Sequence, residues 1–360
     1  MDKENDVAAA ISLGKKRLVT DSMSEWASRL ERFMNAKPDA RGTVTVSDLV
    51  IPKESGASSG TIVFTASYGN VGETEKFVLR FHTEASHANY CDIPGQYKLL
   101  CALQQTSVLS PRVTDMDETG EHLGVPGFLM KCVAGTVLPP TYPLNGPLFD
   151  VTPDARRQMV REAVAGLVEL HRVDWRGFKL DKITRKGAGR NFLESDINWY
   201  WKALNWGTPE HAPVVGDTRQ WLLDHQFEPQ TLAICHGDAS LHNYMYRDNH
   251  LVAMLDWEFA FIGAPELDVA FQSSAHEVLS IGTEPLAGVP DIVERKAIYE
   301  ELTGRPLHNW DYYETIGHYK IYIHMALSFR NCPESLRPAR DKYINFAAAR
   351  MNAAWDAARK

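Results

Sequence analysis

At 360 residues, 44% hydrophobic and 23% charged with nine Trp, the chain holds enough apolar material for a sizeable core. It also exceeds the roughly 250–300 residues that one core serves, so two lobes are expected. A formal net charge of −8 leaves no overall basic footprint and excludes the bulk electrostatics of a nucleic-acid backbone binder.

The first twenty residues lack a long apolar core, and no later run reaches the roughly 18–20 apolar residues of a bilayer span. The expectation is a soluble, cytoplasmic protein, monomer or homodimer, with neither membrane nor nucleic acid as partner. Five cysteines, at 91, 101, 132, 235 and 332, contain no C-x-x-C pair, which argues against a zinc knuckle or a disulfide framework.

Along the chain, Ser24 to Ala36 reads as a helix capped by Ser24, with Trp26, Leu30 and Phe33 on one face. Thr43–Val50, Thr61–Tyr68 and Lys76–His82 are rich in β-branched and aromatic residues and read as three antiparallel strands. A short helix over Gln96–Leu103, a strand at Arg112–Thr114, a turn at Asp117–Gly120 and a buried strand Phe128–Val133 complete a first lobe, residues 1–135, with a helical extension over 1–40. Leu138–Pro153 carries five prolines and reads as a connection. Residues 136–360 are then mostly helical: Thr152 caps a helix that starts at Pro153, and helical spacing recurs over 217–227, 265–275, 291–303, 311–330 and 336–359. One hairpin pairs Tyr244–Tyr246 with Leu251–Leu255. The fold class is therefore α+β, a small antiparallel-sheet lobe followed by a larger, mostly helical one.

The chemistry concentrates in ICHGDASLHNYMYRDNHLVAMLDWEF, residues 234–259. Asp238 follows a short apolar strand, Asn243 comes five residues later, and Asp256 ends the hairpin's second strand. One carboxylate to orient or deprotonate a hydroxyl, with a carboxamide and a second carboxylate to hold Mg²⁺, is what phosphoryl transfer from a nucleotide requires. A different assembly of the same residues, His236, Asp238 and His242 around a transition metal, gives the rival of a metal-dependent hydrolase.

His236-Gly237-Asp238 with Asn243, then Leu255-Asp256-Trp257-Glu258 and Gly263-x-Pro265-x-x-Asp268, resembles the aminoglycoside phosphotransferase and choline kinase family, which has a protein-kinase-like fold. The resemblance implies Asp238 as catalytic base, Asn243 and Asp256 as Mg²⁺ ligands, His236 as a loop-shaping residue, Asp268 as a brace and Glu258 beside the site. It implies ATP as phosphoryl donor, with GTP left open. The nucleotide would meet the small residues Ser55, Gly56, Ser58 and Ser59 between two strands, Arg80 where kinases carry a lysine, Gln96 in place of the usual helix glutamate, and the backbone of Lys131 and Val133. His242 stands where the family often has glycine. Trp199 and Trp201, with Glu258 and Asp311, are candidate acceptor contacts. Phe77–Arg80, Gln96-Tyr97 and Tyr299–Arg305 further resemble the kinase-like module associated with acyl-CoA dehydrogenases. That branch implies a hydroxyacyl thioester as acceptor, with an aminoglycoside-like alcohol as the other candidate. Arg80 and Gln96 also leave room for a nucleotide-binding protein with little turnover.

Overall fold

In the computed structural model of the chain, which describes residues 21–37, 39, 41–52, 59–83, 92–139, 145–183, 189–208, 210–330 and 332–360, a capping box at Ser22 starts the first helix. The described residues before Gly135 form one compact unit, and those from Gly135 to Lys360 form another. Helix α1 is Met23–Asn35. Ser22 Oγ accepts the Glu25 N–H at 3.3 Å and the Glu25 carboxylate accepts the Ser22 N–H at 2.8 Å. The cap thus lies two residues before the expected Ser24. Both serines can cap, and the glutamate three places after Ser22 decides between them.

Strands β1 (Val44–Val50), β2 (Gly60–Tyr68), β3 (Glu73–Phe81), β4 (Val113–Asp117) and β5 (Gly127–Lys131) form one antiparallel sheet in the order β1-β2-β3-β5-β4. Register follows from period-two burial. Ile62, Phe64, Ala66 and Tyr68 of β2 join Phe77, Leu79 and Phe81 of β3 and Leu129 of β5 in one core with Trp26, Leu30 and Phe33 of α1. Thr61, Arg80 and Phe128 are directly paired across β2, β3 and β5 and so share the opposite face. Helix α2 (Ile93–Leu103) covers that face, with Tyr97 packed 5.8 Å from the Phe128 ring. The turn after β4 is held by Asp117, whose buried carboxylate accepts N–H bonds from Glu121, His122 and Leu123 at 3.0, 2.8 and 2.8 Å.

The second unit holds helices α3 (Pro153–His171), α4 (Phe192–Gly207), α5 (Pro213–Asp224), α6 (Glu266–Leu279), α7 (Ile292–Thr303), α8 (Trp310–Ser328) and α9 (Arg337–Ala358). Sequence periodicity anticipates all of these except α4. Asn191 caps α4, and Leu193, Ile197, Tyr200 and Leu204 bury one face at helical spacing, two of its turns being dominated by Trp and Tyr. Helix α8 is buried on nearly all sides and packs against α6, α9, α4 and α5. Its approach to α6 requires Gly317: a Cβ there would lie 2.7 Å from Ser274 Oγ and 2.8 Å from the Ala270 carbonyl oxygen.

Short strands complete this unit. β6 (Thr136–Val137) pairs with β8 (Tyr244–Arg247), β8 with β9 (His250–Met254), and β7 (Ala233–Cys235) with β10 (Phe261–Gly263), all antiparallel. The β8–β9 hairpin reverses through Asp248 and Asn249, both left-handed at φ 53 and 65°, the backbone a two-residue turn between twisted strands prefers. Among the described residues no helix is long and apolar enough to cross a membrane.

Candidate active site

The pairing of β7 with β10 brings the two ends of the 234–259 segment together, since Cys235 lies opposite Phe261. The chain leaves β7 at His236, turns at Gly237 with φ 81°, and passes Asp238 before a 3₁₀ turn, Leu241–Asn243, feeds β8. A side chain at Gly237 would add roughly 1–2 kcal/mol of backbone strain. At the hairpin base the Leu255 N–H donates to the Asn243 carbonyl at 2.8 Å, so Asn243 and Asp256 sit on adjoining chain segments at the same hairpin end. Asp256 itself is left-handed, φ 63° and ψ 58°.

Asp238 is buried, and its carboxylate accepts the Ser240 hydroxyl at 2.7 Å. Burial opposes its ionisation, but the nearby His324 and His242, the Ser240 bond and His236 outweigh that and hold its pKa below the usual carboxylate range. Asn243 Nδ2 donates to the Asp238 carbonyl at 2.9 Å. That bond joins two of the expected site residues and leaves the amide oxygen as the ligating end. His236 Nε2 donates to the Leu255 carbonyl at 2.8 Å, with its ring 4.7 Å from Trp257, so it ties the loop to the segment that carries Asp256.

Asp268, in the first turn of α6, takes the loop's backbone. Its carboxylate accepts the N–H of His236 at 2.6 Å and of Gly237 at 2.9 Å, and meets His171 Nε2 of α3 at 3.1 Å. His171 Nδ1 lies 2.8 Å from the Tyr299 hydroxyl of α7. Burial alone would raise the Asp268 pKa; the His171 bond and charge, His236 and the Gly237 N–H more than offset it, and the net shift is downward. Among the described residues, His171, Cys235 and Asp268 are the group of His, Cys, Asp or Glu close enough to share a metal ion. This is not the His236, Asp238 and His242 set of the hydrolase rival. Both His171 nitrogens and both Asp268 oxygens are hydrogen-bonded, and the Cys235 thiol points to the Ala264 carbonyl at 3.3 Å.

An aromatic chain lines one side of Asp238. Tyr200 of α4 donates to the Gly237 carbonyl at 3.4 Å and lies 3.1 Å from His324 Nε2 of α8. The His324 ring packs 5.0 Å from Phe259 and 5.1 Å from Phe271, and Trp199 meets Phe259 edge-on at 5.9 Å. Trp199 therefore belongs to this chain. Trp201 points elsewhere, against His211 and under the Arg219 guanidinium. Glu258 is half-buried in the 3₁₀ turn Trp257–Phe259. Asp311 is exposed at the start of α8, thirteen residues before His324 and hence about 20 Å away along the axis, so the structure does not bring it to Asp238. Tyr200 belongs to the aromatic cluster that sequence reasoning offered as an acceptor lining, whereas His324, Ser240 and His171 are neighbours it did not assign to the site.

In the first unit, Arg80 is buried and donates to Thr61 Oγ1 at 2.9 Å, and Gln96 is buried in α2, which covers the same sheet face. Lys131 ends β5. Its N–H donates to the Arg112 carbonyl at 2.8 Å, so of its backbone groups the N–H is engaged within the sheet. Alternation turns its side chain to the α1 face, where Nζ meets Glu75 at 2.7 Å over the Phe77 ring. Val133 lies two residues beyond Lys131, the last paired residue of β5. Ser59 is buried, whereas Ser55, Gly56 and Ser58 lie outside the described residues.

The chain is 24% identical over 244 residues to acyl-CoA dehydrogenase family member 10 of Mus musculus, a match covering 64% of this chain and 22% of that protein. It spans about a fifth to a third of the length of the curated relatives it matches. A solved structure from Ralstonia eutropha JMP134, described as an aminoglycoside phosphotransferase, superposes with TM-score 0.69 at 22% identity over 91% of this chain and 98% of its own. A thermostable mutant of the aminoglycoside phosphotransferase APH(4)-Ia, in ternary complex with AMP-PNP and hygromycin B, superposes with TM-score 0.52 at 18% identity over 91% and 98%. At such identities the likeness is one of fold, and the fold is kinase-like. Residues 54–286 match the phosphotransferase enzyme family as a sequence, and that span contains Asp238, Asn243, Asp256 and Asp268. By that match across most of its length, this chain belongs to the phosphotransferase enzyme family.

Proposed function

We propose that the protein transfers the γ-phosphoryl group of ATP, with Mg²⁺, to a hydroxyl group of a small molecule. The observation that carries this is the coupling of Asp238 and Asn243 by a side chain to backbone bond, on a loop whose hairpin returns to Asp256. ATP as donor accords with AMP-PNP, an ATP analogue, in the complex of APH(4)-Ia. Oxygen donors from a carboxamide and a carboxylate suit a hard divalent cation, and Asn243 Oδ1 and Asp256 would hold it. When bound, Mg²⁺ neutralises phosphate charge.

The residues supply the rest. Asp238, whose pKa is held below the usual carboxylate range, accepts the acceptor's hydroxyl proton as that oxygen bonds to Pγ. The bond from Pγ to the bridging oxygen breaks, and ADP leaves with the electron pair. Asp268, through the His236 and Gly237 N–H groups, keeps the loop from shifting, so positioning is built in before substrates arrive. Arg80 would bind the α- and β-phosphates as a fork, and Gln96 stands on the covering helix where kinases carry a carboxylate. A hydroxyacyl-CoA as acceptor accords with the acyl-CoA dehydrogenase family member among the relatives, and an aminoglycoside-like alcohol is the other candidate.

A panel of hydroxyacyl-CoAs, sugars and aminoglycosides assayed for ADP release, with wild type and Asp238→Asn, tests this. Acceptor-dependent release that Asp238→Asn abolishes, with ATP affinity kept, is the expected result. ATP binding with no acceptor ever raising ADP release would instead favour a nucleotide-binding protein without turnover, the alternative that Arg80 and Gln96 motivate.

A further inference from the structure

Two buried helices beside the loop are joined by matched polar rungs. On α4, Asp196 and Tyr200 are four residues apart; on α8, Lys320 and His324 are four residues apart, so each pair lies on one face of its helix. Asp196 pairs with Lys320, Oδ2 to Nζ 2.5 Å, with both side chains 1% exposed. One turn further on, Tyr200 pairs with His324 at 3.1 Å. The Lys320 ammonium also lies over the Tyr200 ring at 5.1 Å and the Phe261 ring at 4.8 Å, which locks the first rung to the second and to β10.

The second rung ends on the loop. Tyr200 donates to the carbonyl of Gly237, the peptide group that joins Gly237 to Asp238, while Asp268 holds the Gly237 N–H from the other side. The orientation of that carbonyl fixes the direction in which the chain enters Asp238. A buried ion pair gains little net stability over an apolar pair, because both ions lose hydration. What it supplies here is registry: with Lys320 seated on Asp196, a slide of α4 along α8 would part Tyr200 from His324.

We propose that Tyr200 and His324 are positioning residues for Asp238, held in register by the Asp196–Lys320 pair. For its kinetic arm the proposal rests on the phosphotransferase reading; a second arm does not. Hydrogen-exchange mass spectrometry of the full chain reports the peptide covering 236–243. Tyr200→Phe removes one oxygen and leaves the ring, and about tenfold faster exchange in that peptide is expected, with α3 and α6 unchanged. His324→Phe should act alike, His324→Gln should retain part of the protection through its amide donor, and Trp201→Phe on another face of α4 should do nothing. In ADP-release kinetics, Tyr200→Phe should lower kcat about tenfold and leave KM for ATP within about twofold.

The registry claim has its own variant, the apolar double replacement Asp196→Leu with Lys320→Met. It should stay folded and yet raise loop exchange as Tyr200→Phe does. Unchanged exchange over 236–243 in Tyr200→Phe and His324→Phe would overturn the proposal. If wild type releases no ADP with any acceptor while the exchange pattern holds, the phosphotransferase reading fails and the positioning role stands.

Discussion

Replacing Asp268 by Asn tests how the loop is held. The carboxylate accepts from three donors, the His236 and Gly237 N–H groups at 2.6 and 2.9 Å and His171 at 3.1 Å. An amide of the same shape has one acceptor oxygen. With that oxygen facing His236 and His171, its NH₂ meets the Gly237 N–H, donor against donor. Each buried donor left unsatisfied costs about 1–3 kcal/mol, and loss of the charge weakens the bonds that remain, so a loss of roughly 2–5 kcal/mol is expected. For a unit of this size that lowers the thermal midpoint by roughly 5–15 °C. The difference also depends on pH. Because the folded-state pKa of Asp268 is depressed, its stabilisation is complete above the unfolded-state value near 4 and is lost as pH falls through the lower folded-state value. The gap between wild type and Asp268→Asn should therefore be full at pH 7 and narrow on acidification towards pH 3. Thermal unfolding across that range measures both. A loss below about 1 kcal/mol at pH 7, or a gap that does not change with pH, would refute the role given to this carboxylate.

Asn243→Ala removes a proposed cation ligand and the bond to the Asp238 carbonyl; ADP release should fall at least about tenfold and the Mg²⁺ concentration for half-activity should rise. Arg80→Ala leaves Thr61 without its partner and should raise KM for ATP about tenfold with a smaller change in kcat, read from initial rates at varied ATP. Gly317→Val drives a branched side chain into Ser274 and the Ala270 carbonyl, so the α6–α8 contact must open; a loss of more than about 3 kcal/mol, seen as a lowered unfolding midpoint or insoluble protein, is expected.

The loop and hairpin were legible because their signals are local. Asp238, Asn243 and Asp256 lie within twenty residues, and strand alternation with a two-residue turn fixes how they return to one place. Helix α4 was not legible, since its buried face mixes Asp196 with Leu, Ile and Tyr and reads as an aromatic cluster rather than an amphipathic stripe. His324 and Tyr200 are 124 residues apart, and only packing of α4 on α8 joins them. Asp311 and His324 share a helix, yet sequence alone could not say which end faces the loop. The face taken by Lys131 depends on the β3–β5 register, a tertiary fact that no local pattern encodes.

The left-handed backbone at Asp256 narrows what heredity can place there. Asn, Asp and Gly tolerate that conformation best. The first two can still grip a cation, while Gly has no group to do so. With Asp256 as a proposed cation ligand, one codon change to glycine should keep the shape of this turn and remove acceptor-dependent ADP release, which makes it the most conservative control for that proposal.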